Sequence, residues 1–189
     1  YPGEQPVENT AALQVEQEPV TYLNKQFTSI ATNGRAHGIS SFYSSVSIVD
    51  TPSELDKSAQ ITIGKDGAYF PLEQTAQGGV TVWVRYQAQG EIALMGKNSS
   101  GRREQLCMLP ASNEWRDFSL YVDLENAVCR TQEGSETAIS LEDLRFVGVE
   151  GDGGTITLNK LFVYSGSDIL EVDYFKDYSY QRKAIMALV

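Results

Sequence analysis

Residues 80–86, Val-Thr-Val-Trp-Val-Arg-Tyr, alternate along the chain. Val80, Val82, Val84 and Tyr86 fall on one side; Thr81, Trp83 and Arg85 fall on the other. A period of two predicts a half-buried antiparallel strand. Gly78-Gly79 before it and Gly90 after it mark turns. Residues 91–97 and 103–109 then read as a hairpin around the polar tip Asn98-Ser99-Ser100-Gly101. In the second arm, alternation sets Leu106 and Met108 on one side and Cys107 on the other. Residues 110–114 predict a turn. Residues 115–124 predict a strand with Phe118, Leu120 and Val122 inward and Asp117, Ser119 and Tyr121 outward. The polar stretch 125–138 reads as a long loop. Residues 144–149 and 155–164 predict strands around the turn Gly151-Asp152-Gly153-Gly154, and 42–49, 59–63 and 68–72 predict strands upstream.

About eight or nine short strands at even spacing, with no long helix between them, predict an all-β fold: an antiparallel β-sandwich, or jelly roll. The domain is expected over residues 21–165. Residues 1–20 carry Pro2, Pro6 and Pro19, and their only charges are Glu4, Glu8, Glu16 and Glu18. They read as an acidic linker or leader, of which 11–15 has enough apolar character to add an edge strand. Residues 166–189 form a C-terminal extension. Asp168 can cap a helix carrying Ile169 and Val172, but the same stretch suits an edge strand or a junction to another domain.

Composition narrows the chemistry. The chain has 189 residues and a net charge of −10, which argues against nucleic acid, because that partner demands a basic face. No apolar run approaches the roughly 18 residues that a membrane span needs, so no membrane insertion is expected. There is one histidine, His37, so any nucleophile–histidine site would have to use it, and a two-histidine metal site is excluded. No C-x-x-C, nucleophile elbow or phosphate loop is present. A glycosidase needs only two carboxylates, but no grouping of catalytic residue types stands out, so no enzyme is expected. The Tyr-, Ser-, Thr- and Gly-rich, lysine-poor composition leans towards an extracellular or cell-surface setting.

The order of pieces over 33–164 resembles the galactose-binding-like jelly roll, the superfamily of many carbohydrate-binding modules. Asn33-Gly34, then 42–49 and the run Thr51-Pro52-Ser53-Glu54-Leu55-Asp56-Lys57-Ser58-Ala59-Gln60-Ile61-Thr62-Ile63, are similar to that family's opening. Val80 to Tyr86 resembles its central strand, and Trp115-Arg116-Asp117-Phe118 its W-x-x-F strand entry. Residues 144–149 and 156–163 resemble its closing pair. The match carries no chemical motif. The resemblance implies a non-catalytic module that binds a glycan or polysaccharide, alone or beside other domains of a larger protein. A structural or assembly domain of a surface, adhesin or viral appendage protein is the alternative, and a small jelly-roll enzyme comes third. The family often carries an acidic residue of a structural calcium site on its final strand. Here that place is Asn159-Lys160, and lysine opposes a dication, so no cofactor is expected and no metal ligand is assigned. Glu150 and Asp152 are candidates only as clustered oxygens.

Candidate binding residues follow from the outward positions. Trp83 can stack on the apolar face of a pyranose while the Arg85 fork donates to hydroxyls. The competing reading covers Trp83 with a loop or tail. Tyr121 and Ser119 extend the same face if their strand neighbours 80–86. Trp115 sits at a strand entry and reads mainly as a packing plug. Tyr43, Tyr69, Arg35 and His37 stand in or near rim loops. Arg102-Arg103 is a basic pair suited to an acidic sugar or a partner carboxylate, or simply a solvated hairpin end. Asn98-Ser99-Ser100 matches a glycosylation acceptor. Cys107 and Cys129 are either a disulfide or two buried thiols.

Overall fold

The computed structural model describes residues 20–26, 40–41, 44–50 and 57–166. The readings for the leader 1–19, for 167–189, for the loop bearing Arg35 and His37, and for Tyr43 lie outside them. The described residues form thirteen strands: β1 (Thr21–Gln26), β2 (Ser40–Ser41), β3 (Ser45–Asp50), β4 (Lys57–Thr62), β5 (Ala68–Ala76), β6 (Gly79–Gln89), β7 (Ile92–Lys97), β8 (Arg103–Leu109), β9 (Ser112–Asp123), β10 (Val128–Thr131), β11 (Glu136–Ala138), β12 (Leu144–Glu150) and β13 (Thr155–Ser165).

They make two antiparallel sheets. The larger has eight strands, ordered β11-β10-β9-β6-β13-β4-β3, with β1 also paired to β13. One edge of β13 is shared: β4 takes its first residues, 155–158, and β1 takes 160–164. The smaller sheet is ordered β2-β5-β12-β7-β8. The fold is thus the all-β sandwich that the alternation predicts.

The core lies between the sheets. Val80, Val82, Val84 and Tyr86 of β6 face inward with Phe118, Leu120 and Val122 of β9, all buried. Phe70, Leu72, Leu94, Leu106, Val147 and Val149 meet them from the smaller sheet. The Tyr86 hydroxyl reaches the core's edge and donates to the Pro110 carbonyl at 2.8 Å. A void of about 10 Å³ between Val84, Leu94, Val147 and Leu161 is wholly apolar. It is an ordinary packing gap with no polar group to hold a water.

Three expectations change. The stretch 125–138 is not one long loop, because Val128–Thr131 pairs with β9 and with β11. Its strand signal is short: Cys129 alone is fully buried, and Gly134 at φ 93° turns the hairpin. The predicted turn 110–114 ends early, since β9 begins at Ser112. The third change is at Cys107. Leu94 faces Cys107, whereas the next residue, Met95, faces Gln105, so β8 holds a bulge at Leu106-Cys107. The extra residue resets the alternation. Leu106, Cys107 and Leu109 all face the core, and Met108, set on the side of Leu106 by alternation, is 46% exposed.

Candidate functional site

The outer face of the larger sheet holds the predicted binding residues, and its cross-strand rows divide it into three zones. One row runs Phe162–Trp83–Ser119 across β13, β6 and β9; the next, Tyr164–Thr81–Tyr121. A third runs Lys160–Arg85–Asp117. Beyond it lie Gln60, Thr157 and Gln87 of β4, β13 and β6.

The first zone is aromatic and closed. Alternation puts Trp83 outward, as expected, but the ring is only 2% exposed. It tilts against Phe162 with centroids 5.0 Å apart, and Tyr164 completes the cluster. Among the described residues the indole Nε1 has no hydrogen-bond acceptor. In this arrangement Trp83 offers no open ring face. Ser119 is also closed off, at 3% exposure. Gln132, from the β10–β11 turn, folds back over it and accepts from the Ser119 backbone N–H at 2.9 Å and its hydroxyl at 3.0 Å. Tyr121 is half-buried. Its ring lies over Gly79, where a Cβ would come within 2.8 Å of Cε1, and the Arg130 guanidinium sits 5.1 Å from its centroid. Burial, then Asp123 nearby, raises its phenol pKa.

The second zone is charged. Arg85 stands across from both Lys160 and Asp117. Lys160 is 2% exposed. It reaches the outer face because β13 is irregular between Leu158 and Lys160, where Asn159 donates to the Ser58 hydroxyl at 3.3 Å.

The third zone is open and neutral. A cleft of about 290 Å³ is lined by Gln60, Gln87, Gln89, Asn113, Thr155 and Thr157, with Ser112 and Ala88. A second bulge builds its wall. Tyr86 faces Arg116 while Ala88 faces Ser112, so two steps of β6 oppose four of β9, and the extra residues bow outward. Gln87 Nε2 fixes that wall by donating to the Asn113 carbonyl at 3.1 Å. Trp115 lies in the same bow, partly buried. Every polar side chain in the cleft is an amide or a hydroxyl, so each offers donors, acceptors or both and none carries charge. Arg85 stands two residues before Gln87 on the same strand face, outside the lining of the cleft. Trp83, Ser119 and Tyr121 do not line it.

The cleft was invisible to the sequence reading. Gln, Thr and Asn at outward strand positions look like an ordinary solvated face. The available signal was the coincidence of Gln87, Gln89, Thr155 and Thr157 on strands flanked by turns.

The remaining candidates are placed as follows. Cys107 and Cys129 are unbonded and both buried in the core, and burial pushes each thiol to about 12. Glu150 accepts from the Tyr69 hydroxyl and lies 3.2 Å from Arg103 Nη1, while Asp152 is exposed in its turn. Among the described residues no three His, Cys, Asp or Glu side chains converge. Asn98 spends Oδ1 on the turn itself, accepting from the Ser100 N–H and hydroxyl and from Arg102 N–H. No helix among the described residues is long and apolar enough to cross a membrane.

No protein-family model matches the sequence, and no curated protein matches it. Solved structures do match in fold. A mutant of a family 29 carbohydrate-binding module superposes with a TM-score of 0.53 at 13% identity, covering 78% of this chain and 93% of that one. Another family 29 mutant, complexed with mannohexaose, gives 0.50 at 11% identity, covering 79% and 93%. The chain therefore has the β-jelly-roll fold found in carbohydrate-binding modules, as the resemblance of its strands implied.

Proposed function

We propose that this domain is a non-catalytic carbohydrate-binding module of an exported or cell-surface protein, and that it holds a glycan in the cleft bounded by Gln60, Gln87, Gln89, Asn113 and Thr157, with Arg85 on the same strand face outside the lining. The observation that carries this reading is the neutral amide-and-hydroxyl lining. Sugar hydroxyls both donate and accept, and side-chain amides answer both needs without the desolvation cost of a charge. The jelly-roll likeness to carbohydrate-binding modules supports it at the level of fold. Trp83 then supports the face from within, and Tyr121 stands at its far end. Arg85 is the residue of the original outward set best placed to reach a ligand.

The test is calorimetric titration with neutral oligosaccharides, beginning with manno- and cello-oligomers, in calcium and in chelator. Saturable binding that Gln87→Ala and Asn113→Ala each weaken about tenfold is expected, each variant removing one well-made hydrogen bond of about 1–1.5 kcal/mol. Equal affinity in chelator is expected, because the cleft holds no carboxylate. Silence across a broad panel would refute the module and leave the structural or assembly reading. Turnover of any oligomer would refute the non-catalytic part.

A further inference from the structure

We propose that the outer face of the smaller sheet carries a second glycan site, selective for a carboxylated sugar and centred on Lys97 and Arg103. It rests on the glycan-binding reading only in choosing a sugar as the bearer of the carboxylate. On this sheet Phe146 of β12 pairs with Lys97 of β7, and Lys97 with Arg103 of β8. The next row runs Tyr69–Gly148–Met95–Gln105, and beyond it Glu150–Ala93–Met108. Paired residues share a face, so Lys97 and Arg103 stand side by side over a floor of Tyr69, Met95 and Ala93 that is itself buried, with Gln105 and Glu150 in the rows beyond.

The floor is built to be flat. Gly148 has no side chain, and a Cβ there would lie 2.6 Å from the Ala68 carbonyl and 2.7 Å from Tyr69 Cγ. The Tyr69 ring takes that space and lies along the sheet, its hydroxyl tied to Glu150. Lys97 Nζ then rests 4.2 Å from the Tyr69 centroid and 5.2 Å from that of Phe146. Two ring faces hold this ammonium, and among the described residues no carboxylate pairs with it. That is unusual for a half-buried cation in a protein of net charge −10. Arg103 has Nη1 on Glu150 and its side chain is 48% exposed, which leaves other donors of the fork facing outward. The two charged heads gather at Tyr69, Lys97 Nζ over its ring and Arg103 on the Glu150 oxygen that holds its hydroxyl, so one carboxylate can meet both cations. Met108 and the partly buried Phe146 supply apolar surface beside them for the face of a pyranose. The paired cations complement a carboxylate, and the glycan-binding reading makes a uronate chain its bearer.

The experiment titrates the whole chain with a galacturonic acid oligomer and with a galactose oligomer of equal length, at low salt and at 0.3 M salt. Saturable binding of the acidic oligomer is expected, weakening with salt. Lys97→Gln and Arg103→Gln should each lower that affinity about tenfold and the pair should abolish it, with melting temperature and neutral-oligomer binding unchanged. Gln87→Ala should do the reverse. No binding of the acidic oligomer, with neutral binding intact, overturns the second site and spares the cleft. Acidic binding unchanged in the double variant also overturns it. Poly-glutamate binding tenfold tighter than the uronate overturns the choice of sugar and assigns the face to an acidic peptide. Silence from every ligand refutes both sites.

Discussion

Trp83→Ala separates a ring that supports the fold from a ring that grips a ligand. The side chain is 2% exposed and lies tilted against Phe162, with centroids 5.0 Å apart. A buried tryptophan removes roughly 150–250 Å² from water. At about 25 cal/mol per Å² this is worth about 4–6 kcal/mol as an upper bound. Measured truncations of buried aromatics cost about 3–5 kcal/mol, and we expect that range. Against a domain stability of about 5–15 kcal/mol, this is a large fraction. With a urea slope near 2 kcal/mol/M, the midpoint should fall by about 1.5–2.5 M. Trp83→Phe should cost less than half as much. It keeps an aromatic ring on Phe162 and removes an indole N–H that has no acceptor among the described residues, a burden of about 1–3 kcal/mol. The assay is urea unfolding followed by far-ultraviolet circular dichroism, paired with glycan titration at 20 °C, where both variants stay folded. Neutral-glycan affinity should change less than threefold, since Trp83 does not line the cleft. A loss of under about 1 kcal/mol in stability together with abolished binding would refute the reasoning, because only an open Trp83 platform behaves that way.

Other expected outcomes are simpler. In the native protein neither cysteine should react with a thiol reagent at pH 8, and both should react in denaturant, because burial holds each near 12; rapid native labelling would contradict the core placement of Cys107. Stability should fall as pH rises from about 9 to 12. Tyr86, Cys107 and Cys129 keep their protons in the folded state up to about 12, whereas the unfolded chain releases them near 9.0 for thiol and 10.0 for phenol. The unfolded state then binds fewer protons, so each group contributes a decline of up to about 1.4 kcal/mol per pH unit, and urea midpoints across that range would check it. Ultraviolet titration should show Tyr69 ionising above the ordinary range, since burial and the Glu150 carboxylate both oppose phenolate. Gly148→Ala should destabilise by about 1–3 kcal/mol, the range for overpacking, read from the melting curve. The same substitution should weaken the proposed uronate site by tilting Tyr69 off the sheet.

How much of this could be read from the chain depends on what alternation reports. It gives the side of a residue, and it gave that correctly for Val80 to Tyr86 and for Phe118 to Val122. It does not give depth. Nothing in the pattern around Trp83 says that its outward face is closed, because closure depends on residues distant in sequence. Alternation also assumes an unbroken ladder. The bulge at Leu106-Cys107 and the one at the start of β9 break it. The first turned Cys107 inward, and the second raised a wall for the amide cleft. Such irregularities arise from pairing partners, which a single strand's sequence does not name. The short strand β10 was missed for a related reason: it buries one side chain fully, Cys129, and most of its stability comes from a neighbour already in place.

The position of β13 has a consequence for how the molecule comes into being. It lies in the middle of the larger sheet, against β6 on one edge and β4 and β1 on the other, and it is the last of the described strands in sequence. During synthesis every partner emerges before the strand that joins them. Until residues 155–165 appear, β6 and β4 each present an unpaired edge of the kind that invites association with other chains. Assembly of this sheet therefore waits on a late segment and rests on distant contacts, and both features slow folding. A stop codon anywhere before Thr155 would remove the centre of the sheet rather than trim its margin, and the product should be recovered as aggregate.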